Sequence, residues 1–252
     1  MDSQPWLKIG DRVLNLDDLP GLLERSGLML PLMRRIVLES CLASVQVSSE
    51  EQSEFHRKFL ADQGISSHEE LTAWLNERGL DEEQASRNVV EALRIERFKN
   101  DRFLSQVDQV FLETKDSRDR VVYSMLRVAS QPAAIELHTR LAEEDATFTD
   151  LCQEHSIGSE RETGGLIGPI ELSRLQPDIA EVLRISNPGK LWPPMQIADV
   201  WVVLRLDKKF PAKLDEGMRR RIRDELFDAW ISQQCASLMS SYGSALKASD
   251  NI

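Results

Sequence analysis

Side chains with the chemistry to act on a ligand are sparse in this sequence. Cys152-x-x-His155 is the one pair with metal-ligand spacing. Zinc needs three or four such groups, and His56, His68 and His138 are scattered, so no second pair completes a set. A buried cysteine and a surface histidine one helical turn apart account for the pair, and no metal or other cofactor is expected. Gly164-Gly165-x-x-Gly168 suits a loop that needs positive φ. It is not a phosphate cradle, because no strand leads directly into it and no Gly-x-Gly-x-x-Gly is present. Leu175-x-Pro177 and Pro188-Gly189 follow it. Trp201, in a strand-like apolar run, reads more readily as core than as a ligand platform. The Arg219 to Arg223 run reads as a solvated helix face that an acidic peptide or partner could use.

The bulk properties narrow the classes. At roughly 150 residues per domain, the 252 residues allow one or two domains, and 41% hydrophobic with 29% charged residues is a globular balance. The net charge of −11, from 31 basic and 42 acidic residues, disfavours sequence-independent nucleic-acid binding, which needs a surplus of Lys and Arg. Three widely spaced cysteines, Cys41, Cys152 and Cys235, fit a reducing compartment better than a disulfide framework. The most apolar stretch, Leu28 to Val47, is broken by Arg34 and Arg35, so no membrane span is expected. The first residues show no leader pattern, and the expected location is cytoplasmic.

The elements that must position these groups are mostly helices. Trp6 to Leu16 reads as a hairpin around Gly10-Asp11. Leu30 to Val47 reads as a helix. Capping boxes at Ser48-x-x-Glu51, Ser67-x-x-Glu70 and Asp81-x-x-Gln84 open three more, the second stopped by Gly79. Leu104 to Glu113 continues the helical pattern. From Lys115 the pattern changes: a strand at Val121 to Val128, helices from Pro132 and Phe148, a Gly-containing stretch, a short helix near Pro177, and a strand from Val200 to Leu206. Ala212 to Met239 is helical again, with Leu214, Met218, Ile222, Leu226 and Trp230 spaced by four. An α+β insert of about ninety residues therefore sits between helical flanks.

In this order, a strand, two helices, His155-Ser156, Thr163-Gly164-Gly165-x-x-Gly168, Leu175-x-Pro177, Pro188-Gly189 and a closing strand ending Asp207-Lys-Lys, the segment from about 120 to 209 resembles a parvulin-type peptidyl-prolyl isomerase domain. The flanks are similar to the helical chaperone part of SurA and PrsA type proteins, and the lack of a leader resembles a cytoplasmic, cyanobacterial branch. The resemblance implies an α+β fold: residues 1–118 a helical chaperone region, 119–210 a parvulin-like domain with a small antiparallel four-stranded sheet surrounded by helices, and 211–252 a C-terminal helix packing on the N-terminal region.

It also implies site positions, and here the residue types depart from the family. Met125 stands where the first strand usually has His, and Trp201 where the last strand has another. Gly158 takes the place of a Cys or Asp, and Gln196 that of a Thr or Ser before the last strand. Leu175 and Ile179 fill pocket positions usually held by Met and Phe. The resemblance thus implies no retained catalytic residue, and a peptide-binding groove of Met125, Leu166, Leu175, Ile179 and Trp201 beside a structural loop at Gly164, Gly165 and Gly168.

Twisting an X-Pro bond crosses about 18–20 kcal/mol and breaks no covalent bond. An apolar pocket can hold the ring and desolvate the amide, while placed donors favour the twisted state. The expectation is a foldase or chaperone that binds unfolded or extended polypeptide, including proline-containing segments, with isomerase catalysis weak or lost. The alternatives are a competent isomerase and a noncatalytic adaptor for maturation or export of a specific client.

Overall fold

The computed structural model describes residues 5–249; Met1–Gln4, where the reading for a leader begins, and residues 250–252 of the expected C-terminal segment lie outside the described residues. In chain order the elements are β1 (Pro5–Ile9), β2 (Arg12–Asn15), α1 (Leu19–Arg25), α2 (Met29–Leu42), α3 (Ser49–Asp62), α4 (His68–Arg78), α5 (Glu82–Phe103), α6 (Val107–Arg118), β3 (Arg120–Val128), α7 (Gln131–Ala142) and α8 (Phe148–His155). They continue with β4 (Leu166–Glu171), α9 (Pro177–Arg184), β5 (Leu191–Ile197), β6 (Val200–Phe210) and α10 (Glu216–Ser249). The architecture is α+β, with one small antiparallel four-stranded sheet among helices. Among the described residues no helix is long and apolar enough to cross a membrane. The chain forms two compact units, residues 1–107 with 219–252, and residues 108–218.

In the first unit, local signals set the helix starts. Ser48, Ser67 and Asp81 each accept from the backbone N–H three residues on, and Glu51, Glu70 and Gln84 accept in return from the cap N–H. Such a cap contributes about 1 kcal/mol. Gly79 ends α4 at φ 62°, where a side chain would be strained. The helix expected to Val47 stops at Leu42. α10 begins at Glu216 rather than Ala212, where Asp215 accepts from the Met218 N–H as an N-terminal cap. Leu214 therefore precedes the helix. Phe227, Ile231 and Cys235 of α10 pack with Val37 and Phe103, and Trp230 closes on Phe98 at 5.2 Å between ring centroids.

The arginine run is not a wholly solvated face. Arg223 is 9% exposed and donates to Glu96 at 2.6 Å and to Asn100 of α5. A guanidinium out of water needs acceptors, and one helical repeat places this arginine on the inward side beside Ile222 and Phe227.

The second unit is built on the sheet order β4-β3-β6-β5, every pair antiparallel. β3 and β6 are central and covered on both faces. Val121, Tyr123 and Met125 join Leu172, Ile179, Leu183, Val202, Leu204 and Leu206 on one face. Leu126, Val128 and Val203 join Ala134 and Leu137 of α7 and Phe148 and Leu151 of α8 on the other. Asp119, 6% exposed, ties the two ends of the insert: its carboxylate accepts from the Ala212 N–H at 2.8 Å and pairs with Lys209 at 3.5 Å.

The aromatic cluster makes the first unit sensitive to a single truncation. Phe103→Ala removes a ring that is 4% exposed and touches Phe98, Phe227 and Trp230. We expect a loss of about 3–5 kcal/mol in urea unfolding; a loss below about 1 kcal/mol would show that this cluster does not hold the unit together.

Candidate functional site

The face of the sheet carrying Met125 does not close over completely. Between β3, the 159–163 turn, β4, α9 and the start of β6 lies a groove of about 720 Å³. Met125 and Ile179, at 8% and 6% exposure, form its floor with Val202, and Leu175, Ile197 and Val200 continue the apolar wall. Leu166, half exposed, stands at the rim. Four of the residues read from the sequence as peptide-binding, Met125, Leu166, Leu175 and Ile179, are therefore brought to one concavity.

Trp201 is placed elsewhere. It lies opposite Val128 in the ladder and packs on the α7 and α8 side of the sheet, while its neighbours Val200 and Val202 line the groove. The cause is the two-residue period of a strand: Met125 pairs with Leu204, so even-numbered residues of β6 share its face and Trp201 takes the other. Gln196 is exposed, and its side-chain amide donates to the Ala198 carbonyl at 3.3 Å instead of reaching the groove. Gly158 leaves its space to others, since a Cβ there would overlap the Arg127 guanidinium and the Glu160 carboxylate.

Those two residues form a polar wall of the groove, backed by the buried Ser156, that the sequence reading did not identify. Glu160 is 4% exposed. Its carboxylate accepts from Arg127 Nε at 3.0 and 3.1 Å, from Arg127 Nη2, and from the Ser156 hydroxyl. Ser156 Oγ also accepts from the Arg127 backbone N–H at 3.0 Å, and the Ile157 N–H donates to the Arg127 carbonyl at 2.9 Å. Burial acts to raise the Glu160 pKa, but the hydrogen bonds from Arg127 and Ser156 outweigh it and hold the carboxyl below the usual carboxylate range. Burial, followed by the nearby Glu160 charge, pushes the Tyr123 phenol up, so it stays protonated as a donor facing the groove. Among the described residues nothing accepts from Arg127 Nη1.

The three glycines shape the loop beside this wall. Gly164, Gly165 and Gly168 all have positive φ. At Gly165, φ is 85° and an added Cβ would lie 2.8 Å from the Met125 carbonyl oxygen, while the Gly165 carbonyl accepts from the Met125 N–H at 2.9 Å. Close approach to the backbone of β3 thus requires glycine there. Cys152 is fully buried beneath, its thiol pKa pushed up by burial, and His155 sits beside Glu154. Among the described residues no three His, Cys, Asp or Glu side chains gather where they could hold a metal ion. Chemically, the groove can desolvate an apolar ring on its floor and offer hydrogen-bond donors at one end.

Residues 113–208 match the family model for the rotamase described as the PPIC-type PPIASE domain. A comparison with curated proteins found no match. Among solved structures, the chain is similar to the peptidylprolyl isomerase PrsA of Bacillus anthracis, at 16% identity over 84% of this chain and 97% of that one, with a TM-score of 0.46. It is also similar to the parvulin domain of PpiD from E. coli, at 20% identity over 39% of this chain and 95% of that one, TM-score 0.33. A SurA-like chaperone of Campylobacter jejuni aligns at 15% identity over 94% and 98%, TM-score 0.36.

Removing the buried acid tests the polar wall. Glu160→Gln should destabilise the second unit by about 2–3 kcal/mol near neutral pH, less than a fully buried pair because Arg127 reaches solvent. Because the folded pKa lies below the unfolded value of about 4.3, the contribution is present above that pH and is lost as pH falls through the folded value. Urea midpoints of the wild type should therefore drop more steeply below about pH 4.3 than those of E160Q; parallel curves would contradict the pairing.

Proposed function

We propose that this chain, which carries a PPIC-type peptidyl-prolyl isomerase domain over residues 113–208, binds extended and prolyl segments of unfolded polypeptide in the Met125 groove and acts as a foldase or chaperone with little isomerase activity. The observation that carries the reading is the composition of the groove. Its floor is wholly apolar, and its one carboxylate is already consumed by Arg127 and Ser156.

Rotation about X-Pro needs no nucleophile and no general base, only selective stabilisation of a twisted amide against a barrier of about 18–20 kcal/mol. Met125, Ile179 and Val202 supply desolvation, which acts on the bound peptide in either planar isomer as well as on the twisted state. Uniform binding of this kind gives affinity without much rate. The Met125 thioether cannot donate a hydrogen bond where the family's imidazole would stand. Donors line the groove at the Tyr123 hydroxyl, Arg127 Nη1, Ser159, Arg174 and Gln176, and none of them stands at the position of Met125.

Exchange NMR on X-Pro peptides with a chemical-shift map tests both halves. We expect shifts at Met125, Leu166, Leu175 and Ile179, and an isomerisation rate close to the uncatalysed one. Leu175→Glu, at a half-buried wall position, should weaken binding about tenfold by placing a charge against apolar surface. Shifts confined to residues outside residues 108–218 would overturn the groove assignment, and rapid exchange would overturn the assignment of weak catalysis.

A further inference from the structure

The charges facing the groove carry a specificity that its apolar floor does not. Three charged residues line it: Arg127, Glu160 and Arg174. Glu160 is withdrawn from any ligand, since it is nearly fully buried and both carboxylate oxygens already accept hydrogen bonds. Arg127 spends Nε and Nη2 on that carboxylate and keeps Nη1, on a side chain 35% exposed, without an acceptor among the described residues. Arg174 lies in the turn after β4, is exposed, and makes no ion pair or hydrogen bond among the described residues. The remaining polar lining, Tyr123, Ser159, Thr163 and Gln176, is neutral or a donor. The groove is thus locally cationic on a chain of net charge −11.

We infer that this groove selects polypeptide segments that carry a carboxylate side chain flanking the proline, with Arg174 and the open Nη1 of Arg127 as its cationic contacts. The inference rests on the proposed binding of prolyl segments and names their chemical class. At physiological ionic strength, charges beyond about 8 Å are largely screened, so the acidic bulk of the protein has little say over a group held at contact distance. A planar guanidinium with unused N–H groups matches a carboxylate in geometry as well as sign. A lysine in the same place would meet two arginines and no available acid.

Titrations of the full chain at about 0.15 M salt, with blocked hexapeptides bearing Glu, Gln or Lys immediately before or after one proline, test this. The Glu peptide should bind about fivefold tighter than the Gln peptide in at least one register, and the Lys peptide more weakly than Gln. R174Q, at an exposed position, should shrink the Glu preference to within about twofold, and R174K, which keeps the charge but not the planar fork of donors, should restore only part of it. If all three peptides bind alike in both registers, or if the preference survives unchanged in R174Q, this inference falls while the groove reading stands. If no peptide binds, the groove reading itself fails.

Discussion

The buried carboxylate of Glu160 is the constraint from which the rest of the site follows. A charge this far from water must be paired and hydrogen-bonded, and it is met by the Arg127 guanidinium of β3 and the Ser156 hydroxyl just after α8. Once that pairing is in place, the segment from Ser156 to Gly165 is drawn along β3. The Gly165 N–H donates to the Glu160 carbonyl at 2.8 Å, and the Gly165 carbonyl accepts from Met125. One wall of the groove is therefore a stability element, and its polar lining is set by folding before any ligand arrives.

The floor has the same double character. Met125, Ile179 and Val202 belong to the cluster that holds β3, β6 and α9 together, and they also face the groove. A site made of core residues is rigid and desolvated, which suits binding of an apolar ring. X-Pro rotation requires no group to shuttle a proton, because no covalent bond is broken. The selection proposed for this groove would rest on charge at the rim, where Arg127 and Arg174 meet solvent, more than on shape at the floor.

Much of the scaffold was legible because its signals are local. The capping boxes at Ser48, Ser67 and Asp81, the Gly79 stop and the Gly10-Asp11 turn each act within a few residues, and each element stands where its signal puts it. The edge strands β4 and β5 were not legible. Pro169 interrupts one and Pro193 with Pro194 the other, which removes the ladder donors that define a strand from sequence. They are strands because β3 and β6 supply the partners, and edge position tolerates the missing N–H groups.

By itself the sequence determined the helical flanks, the α+β insert, the glycine loop and the apolar character of Met125, Leu166, Leu175 and Ile179, since composition, period and turn chemistry are properties of neighbouring residues. Tertiary structure alone decided which of the apolar residues face the groove. Register sends Trp201 to the helical side and Val200 and Val202 to the groove, a choice that depends on which residue of β3 each one opposes. It also decided the polar wall. Arg127 and Glu160 are 33 positions apart, and no local pattern announces that a guanidinium and a carboxylate so separated will meet. Only burial, which makes an unpaired charge too costly to keep, brings them together.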